Sequence, residues 1–220
     1  RPAEPPASVG LGGKSSTASA RPRMGTKMSM ITAGLARTRE DLRDILDLQR
    51  ANLEAALSAT EVRAQGFVTV AHTLEILEQM HALAASVIAR APDGALAGYA
   101  LTMLPACRGL LPVLAPMFAL LDTLAIDGRP LSSSRFYVMG QICVARPFRG
   151  SGVVEALYHE HAARYRDRFD WLVTEVATRN ERSLRAHARI GFREIARNRD
   201  AADEWSIIAW DLRRLASYNI

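Results

Sequence analysis

Val144-Ala145-Arg146-Pro147-Phe148-Arg149-Gly150-Ser151-Gly152-Val153-Val154 joins an apolar run to a helical pattern in the second half of the chain. Before it, Phe136 to Val144 reads as a long apolar strand; after it, Gly152 to Arg164 reads as a helix. A loop with two glycines therefore delivers the chain from a strand to a helix N-terminus. Free backbone N–H groups and the positive end of the helix dipole make such a terminus an anion site suited to a pyrophosphate. Gly150 and Gly152 let the backbone approach phosphates closely, and Arg149 adds charge. Strand-to-helix turns also carry glycine for geometry alone, so the loop by itself leaves both readings open.

On both sides of this segment the chain alternates short apolar runs with helical patterns. Ile31 to Ala36 is a first strand, and Thr38 with Asp41 three residues on forms a capping box ahead of a helix carrying Leu42, Ile45, Leu46 and Leu48. Ser58 starts a second short helix ending near Gly66; Phe67 to Val70 is apolar, and a helix begins at Thr73. Ser86 to Arg90 and Leu96 to Met103 flank Pro92-Asp93-Gly94, a hairpin turn. Pro112 to Leu124 reads as an inserted helix or paired turns closed by Asp127-Gly128. Beyond the central helix come a strand at Leu172 to Val176, a helix at Arg182 to Ile190 and strands near Phe192 to Ala196 and Trp205 to Asp211. The order is mixed α and β around one sheet, with no internal repeat.

A second segment adds to the first. Glu175-Val176-Ala177-Thr178-Arg179-Asn180 leaves a strand end, and His187-Ala188-Arg189-Ile190-Gly191-Phe192 closes the helix that follows. Here the chain resembles the GNAT acetyltransferase superfamily, which moves an acetyl group from acetyl-coenzyme A to an amine. The family's Gln/Arg-x-x-Gly-x-Gly/Ala motif falls on Arg149 to Val154, and its Asn…Tyr-Glu-Lys-x-Gly-Phe motif falls on Asn180 and His187 to Phe192. Among the departures, Val154 replaces the last Gly/Ala, and His187 replaces the tyrosine that often protonates the leaving thiolate.

The resemblance implies an α/β (α+β) fold, a mixed and mostly antiparallel sheet with splayed middle strands flanked by helices. It implies that pantetheine lies in the splay along Ile142, Cys143 and Val144, pairing with the backbone of Ile142 and Val144 as an added strand. Arg149, Gly150, Ser151, Gly152, Val153 and Val154 would wrap the pyrophosphate, with Asn180 and Ser183 on the pantetheine arm. An amide near Ile142 would polarise the thioester carbonyl. Direct transfer in a ternary complex is expected, with Glu175 as base and His187 as acid or base. A carboxylate paired with an arginine and a solvated helix histidine are the alternative readings. Cys143 reads as a buried spectator rather than an acyl carrier. On the same face of the central strand, a period of two places Tyr137, Met139 and Gln141. The runner-up function is an acyl-coenzyme A binding module with weak or no catalysis.

Composition bounds the rest. The 220 residues are 49% hydrophobic and 23% charged, enough for a core. The net charge of +5 suggests an acidic partner, yet +4 of it lies in residues 1–30, where Arg1, Lys14, Arg21, Arg23 and Lys27 face only Glu4. That Pro-, Gly- and Ser-rich segment reads as a flexible leader, added or translated from upstream rather than targeting, ahead of a domain over 31–220. Its Gly12-Gly13-Lys14-Ser15 is no phosphate loop, since Ser8 stands where the first glycine belongs. Two cysteines give no disulfide framework, and Pro112 and Pro116 break the longest apolar run, so a cytoplasmic protein without membrane attachment is expected. His159-Glu160-His161 has the wrong spacing for a shared helix face, and no metal is expected. Arg179, Arg182, Arg185, Arg189, Arg193, Arg197 and Arg199 suit the phosphates of coenzyme A better than nucleic acid, for no aromatics interleave them. The acidic excess between Arg37 and Met80 suggests a cationic amine acceptor. The last strand is the candidate for pairing across a homodimer.

Overall fold

The computed structural model describes residues 31–58, 60, 67–201 and 203–217. The leader and most of the proposed helix between Ser58 and Gly66 lie outside the described residues. Seven strands form one sheet: β1 (Thr32–Leu35), β2 (Val87–Arg90), β3 (Leu96–Met103), β6 (Phe136–Val144), β7 (Trp171–Ala177), β8 (Arg193–Arg199) and β9 (Glu204–Asp211). Their order is β1-β2-β3-β6-β7-β9-β8, antiparallel throughout except where β6 meets β7. β4 (Ala125–Ile126) and β5 (Arg129–Pro130) make a two-residue ribbon turned by Asp127 and Gly128, both at positive φ. The helices are α1 (Arg39–Arg50), α2 (Leu74–Leu83), α3 (Ala115–Thr123), α4 (Val153–Tyr165) and α5 (Glu181–Ile190). Thr38 and Asp41 close the expected capping box on α1, and Thr73 caps α2. Phe67 to Val70 contributes only one bridge, Val68 to Leu53. No helix among the described residues is long and apolar enough to cross a membrane.

Each face of the sheet has its own core. One gathers α1, α2 and α3 over Tyr99, Leu101, Val138, Val173 and Ile207. The other packs α4, with α5 at its margin, over Tyr137, Met139, Leu172 and Ile208. The expected grouping of Tyr137 with Gln141 fails for a definite reason. Met139 pairs with Thr102 and Gln141 with Leu101, so Gly140 is left over as a bulge and the alternation of β6 inverts there. Tyr137 and Met139 face α4, whereas Gln141 faces α1. His161 is buried under the sheet and His159 is exposed, as a spacing of two on a helix dictates.

The two parallel strands share only three pairs, Phe136 with Trp171, Tyr137 with Leu172 and Val138 with Val173. Beyond them a side chain makes the last link, Thr174 Oγ1 donating to Met139 O at 2.9 Å. From there β6 and β7 part, each still held on its outer side by β3 and β9. β9 is paired on both sides, by β7 and β8, so the last strand has no free edge for a dimer; the sheet's outer strands are β1 and β8.

Gly98 sets how closely α4 approaches this opening. A Cβ there would lie 2.8 Å from Cys143 O and 2.8 Å from Val153 Cγ1, the first backbone and the second at the helix start. Gly98→Ala is expected to cost about 1–3 kcal/mol through overpacking. Denaturant melts check this, and an unchanged midpoint would mean that α4 shifts freely.

Candidate active site

The loop closing β6 builds a helix start without a side-chain cap. Gly150 (φ 78°) and Gly152 (φ 81°) hold left-handed conformations that favour glycine, and Gly152 is the residue before α4. The first intrahelical bond at this end is Ala156 N–H to Gly152 O, so the amides of Val153, Val154 and Glu155 have no helical acceptor. Space is left as well, since a Cβ on either glycine would meet nothing within 4 Å.

A cavity of about 390 Å³ opens from this loop into the splay. Ile142, Cys143 and Val144 supply one wall, Arg149, Gly150, Gly152, Val153 and Val154 the phosphate end, and Asn180, Ser183 and His187 the opposite wall on α5. The Ala145 amide donates across to Ala97 O on β3, so strand alternation turns the amides of Val144 and Ile142 toward the opening. The backbone of Cys143 is spent on β3; its side chain reaches the other face, where burial pushes the thiol up to about 12. That thiol is a poor nucleophile at neutral pH, in line with the spectator reading.

Several expected residues are there in other roles. Ser151 is not part of the cavity wall; its hydroxyl donates to Phe148 O at 2.6 Å. Arg149 braces the loop, Nε donating to Val144 O (3.2 Å) and Nη2 to Asn52 Oδ1 (2.5 Å). Asn180 Oδ1 caps α5 by accepting from the Ser183 amide at 3.3 Å. Arg182, Arg185 and Arg189, spaced to share a helical face, line the cavity. Arg179 instead bridges Glu54 (2.7 and 3.0 Å) and Asp203 (2.5 Å) over the Phe67 ring, and Arg193 pairs with Asp127. Part of the acidic excess of the early chain is also paired: Arg90 holds Asp41 and Asp44, and Arg39 holds Glu78.

His187 is not solvated. It is 2% exposed, and Nδ1 lies 2.8 Å from Ser183 O, which can only accept. The ring proton therefore sits on Nδ1, and the Tyr158 hydroxyl donates to Nε2 at 2.6 Å. Burial drives its pKa down to about 4, so the imidazole is neutral at pH 7.

Glu175 is not part of the cavity wall. Strand alternation groups it with Trp171 and Val173, toward α1 and α2. Among the described residues none forms an ion pair or a hydrogen bond with it. Burial, reinforced by the negative charge of Asp200, raises its pKa to about 7. Sequence reasoning missed Asn52 and Tyr158 because nothing local marks residues brought in from distant elements; Phe148 sits in the loop itself and its place in the wall was not singled out.

No protein-family model matches the chain, and no curated protein matches it by sequence. Solved structures do. The ribosomal-protein-S18-alanine N-acetyltransferase of Escherichia coli superposes with a TM-score of 0.56 at 14% identity, covering 83% of this chain and 94% of that one. The putative acetyltransferase YncA of Salmonella typhimurium, solved with its cofactor acetyl-CoA, gives 0.55 at 16%, covering 84% and 95%. A GNAT superfamily phosphinothricin acetyltransferase from Sinorhizobium meliloti, in complex with acetyl-CoA, gives 0.53 at 16%, covering 83% and 88%. The chain has the fold of the GNAT acetyltransferases, with the mixed sheet and flanking helices of that superfamily.

Proposed function

We propose that the chain is an N-acetyltransferase that uses acetyl-coenzyme A and acetylates a primary amine by direct transfer. The observation that carries this reading is the splay between β6 and β7, which runs without interruption into the uncapped amides of α4. The donor set fits coenzyme A: open amides and left-handed glycines for a pyrophosphate, outward-facing amides at Ile142 and Val144 for pantetheine, and arginines on α5 for the remaining negative charge. Bound there, the cofactor supplies an acetyl thioester; the fold family supports the same chemistry.

The amides of Ile142 and Val144 hold and polarise from the cavity side. Glu175, with a pKa of about 7 and no ion pair among the described residues, takes a proton from the incoming amine, directly or through water. His187 is held by Tyr158 and Ser183 as a neutral ring, which suits positioning of the α5 wall better than proton donation at pH 7.

That neutral His187 also favours a second reading, an acyl-coenzyme A binding module without efficient turnover. Thiol release from acetyl-coenzyme A, followed with and without a panel of amines, separates the two. Amine-dependent release above background supports the transferase; tight binding with no such release supports the module. The transferase reading makes the acceptor a small molecule or peptide; neither reading gives a role to nucleic acid, membrane or metal, and both suit a cytoplasmic protein.

A further inference from the structure

On the Glu175 face, a buried polar cluster joins α1, β3, β6 and the segment before α2. Gln49 Oε1 accepts the backbone N–H of His72 at 2.8 Å, which fixes the orientation of that amide. Gln49 Nε2 then donates to Gln141 Oε1 (2.6 Å) and stands 2.9 Å from His72 Nδ1. An amide nitrogen cannot accept, so Nδ1 takes the hydrogen bond and the ring's own proton sits on Nε2. Gln141 is satisfied further by the Tyr99 hydroxyl (2.5 Å) and by Val70 O (2.8 Å).

One donor of this cluster is left over. His72 is 8% exposed, and its Nε2–H has no acceptor among the described residues. Such a buried, unpaired N–H is costly and calls for an outside partner. Burial holds the imidazole neutral, so it offers a hydrogen bond rather than a charge.

Its position says where the partner comes from. Gln141 is the first residue beyond the Gly140 bulge, where β6 has left β7, and Glu175 lies two residues past the last pair on β7. Both face α1, on the side of the sheet away from α4, so Gln141 and the base share one face of the sheet, on the two strands that part.

We propose that this cluster recognises the acceptor, and that His72 Nε2–H donates to an oxygen carried by the amine substrate close to its nitrogen. The inference rests on the acetyltransferase reading and narrows its substrate to amines with a neighbouring carbonyl or carboxylate, such as an amino-acid amide or a peptide α-amine. An alkylamine or polyamine presents only methylenes and further N–H donors to His72 and leaves it unpaired. Sites built around a buried donor reject analogues that lack the acceptor atom.

The test measures kcat/KM on the full chain for glycinamide and alanylalanine against propylamine and 1,4-diaminobutane, with acetyl-coenzyme A affinity measured alongside. The native chain is expected to prefer the oxygen-bearing amines by about 10- to 100-fold. His72→Phe should bring the ratio near one without changing cofactor affinity. His72→Gln, which restores an N–H near the position of Nε2, should recover most of the preference. Equal use of propylamine or 1,4-diaminobutane by the native chain overturns the inference, as does a preference that survives His72→Phe. Either result leaves acetyl transfer standing, whereas absence of acetyl-coenzyme A binding sinks the transferase reading itself.

Discussion

Glu175→Gln is expected to lower kcat about 100- to 10,000-fold near neutral pH while leaving acetyl-coenzyme A affinity within about twofold. The asymmetry follows from placement, since Glu175 lies on the face toward α1 and α2, outside the cofactor cavity wall. A carboxylate with a pKa of about 7 is half deprotonated at pH 7, so native kcat should rise through that region, and the glutamine variant should lose this limb. Stability gives an independent readout with a definite sign. The folded pKa is raised above the ordinary value of 4.5, so the folded chain binds the extra proton and loses stability as pH climbs from about 4.5 to 7. Above pH 7, Glu175→Gln should therefore be the more stable protein, by at most about 3 kcal/mol. Reduced activity together with raised stability would mark a group held at a cost for chemistry. Equal kcat across pH would remove Glu175 as base, and unchanged stability would mean that its burial is relieved by water.

The difference between what the sequence discloses and what it withholds has a physical pattern. Elements governed by local rules are legible: the Thr38–Asp41 capping box, the Pro92-Asp93-Gly94 turn, and the strand–loop–helix of Phe136 to Arg164 all form as their patterns require. The cavity is largely legible too, because the glycines and the α5 residues that line it sit in two short motifs. What escapes is set by long-range geometry. The Gly140 bulge reverses which face Gln141 serves, and a period-two reading has no means of registering one extra residue. Pairing of β8 with β9 closes the edge that a linear reading leaves open. The arginine run looks like a phosphate track, but Arg179 and Arg193 are drawn off by Glu54, Asp203 and Asp127 from distant parts of the chain. His187 reads as a titrating group until the Tyr158 hydroxyl and the Ser183 carbonyl fix its tautomer. In each case the residue type was visible and its partner was not.

Gly152→Asp should weaken acetyl-coenzyme A binding by about 10- to 100-fold, and the reason is separable from strain. At φ 81° any side chain is strained, although Asp and Asn tolerate the left-handed region better than most. A Cβ at Gly152 meets no neighbour within 4 Å, so the substitution adds no clash in the free protein. The new carboxylate would stand beside the open amides of Val153, Val154 and Glu155, where an anion is to bind. Two like charges about 4 Å apart repel by roughly 4 kcal/mol near a protein surface before screening, more than enough for the loss expected. Gly152→Asn has nearly the same shape and backbone demand without the charge, so it isolates the electrostatic part. The asparagine variant should bind markedly better than the aspartate variant, and the gap should narrow as ionic strength rises. If the two bind equally, the loop does not hold a phosphate, and the cavity must take its ligand by some other means than the start of α4.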